Sequence, residues 1–502
     1  MVSLSPDRIP VIAGIGEITD RPADFMQSLE PLALMAEAAH RADADARGLL
    51  REVDSVDIVA LVSWRYDDLP GRLAGRLAIS PKRNFYGTVG GESPVRYIHE
   101  AAQRIARGTS QVGLVLGAEA QYAVNHAKRA GVDLPWTPYA INAPKMKRAA
   151  DYVHPLGHKL GVAWPISVYP FYEAKTAQHW GQTPREAQAE SGLLWSRYSA
   201  AAAKNPYAWS KTALSPEDIT TVTPDNRMIS WPYVKRMVAN PNVNQGAAII
   251  VTSLGKARAA GIPEDQLVFI GAGASAVEPR DWLARDWYHE NHSQEAVLGA
   301  MLQAAHDDGA GFDALELYSC FPVVPKMARR ALMLGPDVEP SVCGGLSFFG
   351  GPLNVYMAHA ACAMVRKLRE GAKTGLIYGQ GEFVTKHHAL ILSRRPQGDA
   401  ALADLQAQET ADSCREPPPP TDESPDGAAK IETFTILHDA SGQPIQGVVI
   451  ARMDSGARTL ARIPAGHADD MALLMNQDRY PIGARGMIRL APDGLPEWRT
   501  IA

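Results

Sequence analysis

Two segments of this chain, far apart in the sequence, follow one plan, and a plan written twice admits few architectures. In the first, Gly90-Gly91 leads into Ser93-Pro94, then Ile98, Ala101, Ala102 and Ile105 at helical spacing, then Gly108 and a strand from Val112 to Leu116 ending on Gly117. In the second, Gly350-Gly351-Pro352 leads into a helix around Val355 to Leu368, then Gly371 and the strand Leu376-Ile377-Tyr378 ending on Gly379. Proline near the start of a helix and glycine just past its end delimit both helices. A duplicated α/β half is the economical reading.

Other stretches fit that reading. Ile9 to Ile15 and Val56 to Val62 are near-continuous apolar strands, separated by an alanine- and leucine-rich helix near Leu29 to Ala46. Strands of this kind alternating with helices indicate a mostly parallel sheet covered on both faces. Residues 121–230 are rich in Trp, Tyr, Pro and cations but poor in strand patterns, and loops that long are seldom structureless, so a helical lid is expected there. Asn240 to Gly246 then leads into the strand Ala247 to Val251. The polar stretch 396–428 contains Pro417-Pro418-Pro419-Pro420, which favours an extended spacer. Beyond it, Thr433 to Leu437, Gly447 to Met453, Arg458 to Ile463 and Met487 to Leu490 read as short strands joined by turns such as Asp454-Ser455-Gly456, a small β-barrel. At 502 residues, two or more domains are expected. The expected division is an N-terminal half over 1–260 with the lid at about 121–230, a C-terminal half over 261–395, a linker over 396–428 and a barrel over 429–502.

Charge narrows the partners. With 50 basic against 55 acidic side chains, the formal net charge is -5, so there is no global attraction to nucleic acid or an anionic membrane, and any anion site is local. The four cysteines (Cys320, Cys343, Cys362, Cys414) show neither CxxC nor Cys/His ligand spacing, so no disulfide framework and no metal site are expected. Met1 to Arg8 lacks a basic region followed by an apolar one, and no apolar run approaches the ~18–20 residues that span a bilayer. A cytoplasmic protein is expected.

On these residues, Gly14 to about Ser393 resembles the thiolase superfamily, most of all its sterol-carrier-protein thiolase branch, and the appended barrel resembles that of the type-one thiolase-like group. The resemblance implies a five-layered α/β fold of duplicated mixed-sheet βαβ halves, a helical lid, a small OB-like barrel, and acyl-CoA as ligand. In active members a nucleophilic Cys opens the helix matched here by Ser93 to Arg107. Counted back from Ala101-Ala102-Gln103-Arg104-Ile105, its place falls on Gly91. The family's Gly-His-Pro matches Gly350-Gly351-Pro352, so the His place is Gly351. Its Asn-Glu-Ala-Phe or His-Asp-Cys-Phe motif matches Tyr318-Ser319-Cys320-Phe321, and its Cys-x-Gly motif is matched to Gly375-Leu376-Ile377, with the second Cys place on Gly375.

Claisen condensation or thiolysis needs a thiolate to accept an acyl group and a base to remove a proton, and glycine supplies neither. Losing one positioned acid or base costs ~10²–10⁴-fold in rate, so ordinary thiolase activity is not expected. Binding can survive, because backbone N–H groups at Gly91 and near Gly375 can polarise a thioester carbonyl at a helix start. Gly91, Ser93, Tyr318, Ser319, Cys320, Gly350 and Gly351 form the expected pocket. Glycine-rich turns also serve only to let backbones approach. Ser93 before Pro94 reads as an N-cap rather than a nucleophile. Cys320 is the leading nucleophile for an acyltransferase, set against the ordinary role of buried Cys as a small apolar group. His359 reads as a packing group, and tandem His387-His388 on a strand point to opposite faces, so at most one faces a pocket.

For the CoA phosphates the lid offers Lys145, Lys147 and Arg148, with Lys128, Arg129 and Lys159 in reserve; a solvated helix face is the competing reading. Trp136, Trp164 and Tyr169 suit an adenine or, preferably, the lid core. In the barrel, Arg452, Arg458, Arg462, Arg485 and Arg489 invite a single-strand reading, which Asp454, Asp469, Asp470 and Asp478 dilute. The expected function is binding of acyl-CoA or a related lipid thioester, with no tightly bound cofactor. An acyltransferase using Cys320 is the alternative, and a scaffold whose barrel recruits protein or RNA a second one. By resemblance the chain is a monomer, a dimer being the other possibility.

Overall fold

The computed structural model describes residues 5–307, 311–396 and 404–501. Its strands, in chain order, are β1 (Pro10–Thr19), β2 (Ser55–Ile58), β3 (Arg83–Tyr86), β4 (Val112–Ala120), β5 (Met228–Trp231), β6 (Tyr233–Val234), β7 (Asn244–Ser253), β8 (Val268–Val277), β9 (Ala314–Leu317), β10 (Thr374–Gly381), β11 (Lys386–Ser393), β12 (Asp404–Leu405), β13 (Gly427–His438), β14 (Pro444–Met453), β15 (Arg458–Pro464), β16 (Arg485–Leu490) and β17 (Pro496–Thr500). The main sheet has the order β3-β2-β4-β7-β1-β8-β11-β10-β9, with β12 beside β8.

Every residue of β4 and β7 is buried, which explains why these strands read as unbroken apolar runs. The mostly parallel sheet expected from those runs is not what forms. β2 runs parallel to β3 and β4, and β9 to β10, but β4–β7, β7–β1, β1–β8, β8–β11 and β11–β10 are antiparallel. Apolar continuity reports burial on both faces and carries no information about strand direction, so the mixed arrangement implied by the thiolase resemblance prevails.

The two duplicated helices, Ser93–Arg107 and Tyr356–Arg369, pack on each other and on strands of both halves. Helix Pro31–Asp45 covers the outside of β1, β7 and β4, and helix His292–Asp307 the outside of β8 and β11. The result is five layers: helix, strands, paired helices, strands, helix. Helix Ser93–Arg107 ends at Gly108 in the left-handed region (φ 70°), as its punctuation predicts. It buries Val95, Ile98, Ala101, Ala102 and Ile105. Each large aliphatic side chain there contributes about 1.5–3 kcal/mol, so Ile98→Asp would be enough to disrupt the layer.

Residues 121–230 are helical for the most part, with helices Gln121–Ala130, Pro165–His179 and Pro184–Lys204 the longest. The last opens on a reciprocal cap between Thr183 and Glu186. Farther on, β13, β14, β15, β17 and β16 close a five-stranded barrel, and β5 and β6 add to it, with Ile436 opposite Trp231 and Leu437 opposite Ser230. Trp231 stacks on Phe434 at 5.2 Å. The barrel is therefore bonded to the tail of the lid region.

Of the spacer expected over 396–428, residues 397–403 lie outside the described residues. From Asp404 onward it is docked rather than free: β12 pairs with β8, and helix Ala407–Cys414 buries Ala407 and Ala411 against helix His292–Asp307. Two alanines one turn apart give that helix an apolar face, which the proline run downstream conceals in composition.

Candidate functional site

Segments distant in sequence meet where β9 and β10 end and helix Ser93–Arg107 begins. The Tyr318 N–H donates to the Tyr378 carbonyl (3.1 Å), and the Gly90 N–H to Asn354 Oδ1 (3.0 Å), whose amide in turn donates to the Ala60 carbonyl (2.9 Å). Ser319 Oγ accepts from the Leu346 N–H (3.3 Å), the Cys320 carbonyl from Ala239 N–H (3.1 Å), and the Asn240 carbonyl from Gly351 N–H (2.8 Å). Gly91, Ser93, Tyr318, Ser319 and Cys320 thus meet around one buried turn, while Gly350 lies against Gln245 and Gly351 against Leu346 and Asn240.

The turn leaves no space for a side chain at 91. A Cβ there would stand 2.5 Å from the Gln380 carbonyl and 2.6 Å from Tyr318 Cζ, with the phenolic oxygen closer still. Tyr318 is buried, so its ring cannot simply swing into solvent. At 351 the demand is lighter, the nearest atoms being carbonyls at 3.3 and 3.4 Å. Gly350 has φ 118°, in the region that favours glycine.

Gly375 does not belong to this cluster. It packs against Met364 near the start of β10, and four residues of strand, ~13 Å, separate it from the end that reaches the turn. Gly379-Gln380-Gly381 occupies that end instead: Gly379 lies against the Glu92 backbone, and a Cβ on Gly381 would stand 3.1 Å from the Gly91 nitrogen. Glycines repeat at 375, 379 and 381, and sequence alone misassigned the register.

Ser93 is structural, with the opposite polarity to the cap expected of it. It is the first helical residue, and its hydroxyl donates to the Gly90 carbonyl (2.7 Å) rather than accepting an amide. Cys320 Sγ accepts from the Gln380 amide at 3.3 Å, and burial pushes its thiol up to about 12. Burial therefore favours the neutral thiol, the form that does not act as a nucleophile.

Glu92 went unnoticed in the sequence although it stands between Gly91 and Ser93. Its carboxyl is buried, burial raises its pKa, and Oε2 has no hydrogen-bond partner. Lys386 is within electrostatic reach, with Nζ bonded to the Val89 carbonyl (2.8 Å) and paired with Glu382 (3.0 Å).

The histidines stay in the protein interior. His359 Nδ1 meets Glu17 Oε1 at 2.8 Å, the packing role expected. His387 bonds Tyr378 (2.7 Å) and His388 bonds His99 (3.1 Å), so both tandem rings are buried, on opposite faces, against protein partners.

Lys145, Lys147 and Arg148 are exposed and precede the turn Ala149–Tyr152. Lys147 Nζ lies 5.6 Å from the Tyr152 ring centroid, and the Arg280 guanidinium 3.4 Å from the same centroid. Arg280 also pairs with Glu382, its Nε 2.9 Å from Oε2, in the hairpin that holds Gly381 against the turn. A line of contacts therefore runs from Lys147 through Tyr152, Arg280 and Glu382 to the turn at Gly91. Lys128, Arg129 and Lys159 are exposed elsewhere on the lid. Tyr169 is core, stacked on Phe321 at 4.3 Å, and Trp136 packs edge-on to Trp64 at 5.0 Å, whereas Trp164 is exposed and not the core residue expected. In the barrel, Arg458 is fully buried, while Arg452, Arg462 and Arg485 pair with Glu432, Asp493 and Asp454, leaving Arg489 on the surface. Clefts of about 980 and 370 Å³ open elsewhere and include none of the residues around Gly91.

Comparison with known proteins agrees with this architecture. Residues 413–494 match the family model described as the thiolase-like protein type 1 additional C-terminal domain. The whole chain is similar to the crystal structure of a monomeric SCP2-thiolase-like protein type 1 from Mycobacterium smegmatis, with 28% identity over 99% of this chain and 100% of that one and a TM-score of 0.81. The fold is shared with an Ltp2-ChsH2(DUF35) aldolase (19% identity, 78% and 98% covered, TM-score 0.58). It is shared also with human mitochondrial 3-ketoacyl-CoA thiolase in complex with CoA (14% identity, 78% and 99% covered, TM-score 0.54). No curated protein matches. Among the described residues no helix is long and apolar enough to cross a membrane.

Proposed function

We propose that this chain, which has the thiolase fold and the additional C-terminal domain of thiolase-like proteins of type 1, binds acyl-CoA or a related lipid thioester without carrying out Claisen or thiolytic chemistry. The observation that carries the reading is the line of contacts from Lys147 through Tyr152 and Arg280 to Glu382 and the Gly91 turn. Exposed cations at one end suit a polyphosphate by charge. At the other end the line reaches the turn at Gly91, which Tyr318 and the Gln380 carbonyl fill, so the acyl group lies against the turn rather than within it. No covalent route fits beside it: a side chain at 91 would collide with Tyr318 and the Gln380 carbonyl, and Cys320 remains a neutral thiol. The thioester is held intact, no tightly bound cofactor is needed, and the protein works as a cytoplasmic monomer, the state named for its Mycobacterium smegmatis relative.

Isothermal titration with CoA and acetyl-CoA tests the binding, and intact-mass measurement after incubation tests the chemistry. Saturable heat with an unchanged protein mass is expected. Absence of heat with either ligand removes the proposal; an acyl adduct would replace it with a covalent acyltransferase.

A further inference from the structure

Away from the Gly91 turn, three metal-competent side chains meet. His179 is the last residue of helix Pro165–His179, and His289 and Glu290 lie just before helix His292–Asp307. One imidazole nitrogen from each histidine and one Glu290 carboxylate oxygen all lie within 4.8 Å of one another. The two rings face each other at 4.2 Å and 35°, and His289 Nε2 is 3.4 Å from Glu290 Oε1. Two donors bound to one tetrahedral zinc at ~2.0–2.1 Å stand ~3.3 Å apart, so that pair is already at coordination spacing.

Charge around His289 is mixed, with Asp286 and Glu432 favouring a cation and Lys175 opposing one. His179 ends its helix, where the backbone dipole is negative. Two imidazoles select zinc, copper or nickel over magnesium or calcium, which prefer all-oxygen shells.

We propose that His179, His289 and Glu290 form a binding site for a divalent transition-metal ion of the zinc class, with water in the remaining positions. Bound there, the ion fastens the end of a lid helix to the segment whose Leu283, Arg285 and Asp286 carbonyls accept from the buried Arg458 of the barrel. Helix Pro165–His179 is itself bonded to the barrel, since Thr433 Oγ1 donates to the Phe171 carbonyl at 2.6 Å. The ion therefore closes a junction of lid, connecting segment and barrel. The sequence conceals this site because no short spacing joins His179 to His289.

The test uses the untagged full-length protein, stripped with chelator and titrated with zinc chloride by calorimetry and with cobalt(II) by visible absorption. One ion per chain and a higher unfolding temperature in zinc are expected. His179→Ala and Glu290→Gln are expected to weaken binding at least tenfold and abolish the thermal shift, while His40→Ala, at an exposed site on helix Pro31–Asp45, changes neither. Circular dichroism identifies any variant that fails to fold, and the near-isosteric Glu290→Gln then decides. Failure of the wild type to bind either metal, or binding by the folded variants equal to wild type, overturns the proposal.

Discussion

The phenol of Tyr318 fills the space that a side chain at Gly91 would need. Glycine at 91 is thus a packing requirement as well as a missing nucleophile, and restoring the thiol does not restore a thiolase. Gly91→Cys is expected to lower stability by about 1–3 kcal/mol, the usual cost of overpacking, and to give no CoA release from acyl-CoA. Adding Tyr318→Ala makes room, so the double variant loses less stability than the sum of the two single ones. Urea unfolding of the four proteins measures the coupling, and strict additivity would show that Tyr318 is not the obstruction.

Thiol reactivity follows burial. Cys414 is exposed, whereas Cys320, Cys343 and Cys362 are buried, with thiols pushed up to about 12 or well above their ordinary value. Iodoacetamide at neutral pH is expected to label the native protein at Cys414 and leave the other three unmodified by peptide mass mapping. Rapid labelling at Cys320, or an acyl adduct lost in Cys320→Ala, would revive it as a nucleophile.

Two buried carboxyls make stability depend on pH. Burial pushes Glu119 and Glu316 up to about 7, against hydrogen bonds that stabilise the ionised form, including Tyr356 Oη to Glu316 (2.6 Å) and the Val62 and Ser63 amides to Glu119 (2.8 Å each). Their ordinary value is 4.5, so between 4.5 and about 7 the unfolded chain has released protons that the folded chain keeps. Their stabilising contribution is complete below 4.5, is lost as pH rises, and levels off above about 7, with a limiting slope of about 1.4 kcal/mol per pH unit for each group. His387, held down to about 4 by burial, works in the opposite direction across much of the same window. The informative quantity is therefore the difference between wild type and Glu316→Gln: the variant should lose less stability between pH 5 and 7. Parallel curves would place the Glu316 proton elsewhere.

What the sequence revealed and what it concealed divide along the range of the interactions. Pro94 and Gly108 mark their helix because caps are local. The direction of β7 beside β4 was hidden, since an apolar run records only that both faces are covered. The pairing of Trp231 and Ser230 with Ile436 and Leu437 was hidden too, because nothing local to 228–234 announces a barrel two hundred residues downstream. For the candidate site, Gly91, Ser319 and Gly351 were placed by motif order alone, while Glu92 and Arg280 belong to no motif and drew no reading. Gly375 failed for a different reason, the repetition of glycine along β10.

If phosphate recognition begins at the lid, charge there should govern affinity while charge elsewhere on the lid should not. Lys145, Lys147 and Arg148 stand in solvent, where each contact to a phosphate is screened over a Debye length of ~8 Å at physiological salt. Removing all three as Lys145→Ala, Lys147→Ala and Arg148→Ala is expected to weaken CoA binding by about tenfold or more, with a shallower dependence of affinity on salt. Arg280→Met should act through another route: it leaves Glu382, almost fully buried, with Lys386 as its remaining cation, so both stability and binding should fall. Lys128→Ala, Arg129→Ala and Lys159→Ala together, at exposed positions elsewhere on the lid, serve as the matched loss of three charges and should leave affinity within about twofold. Titration calorimetry at two salt concentrations separates these cases, and equal weakening by both sets would reduce the lid's contribution to diffuse positive charge, with no phosphate subsite at Tyr152.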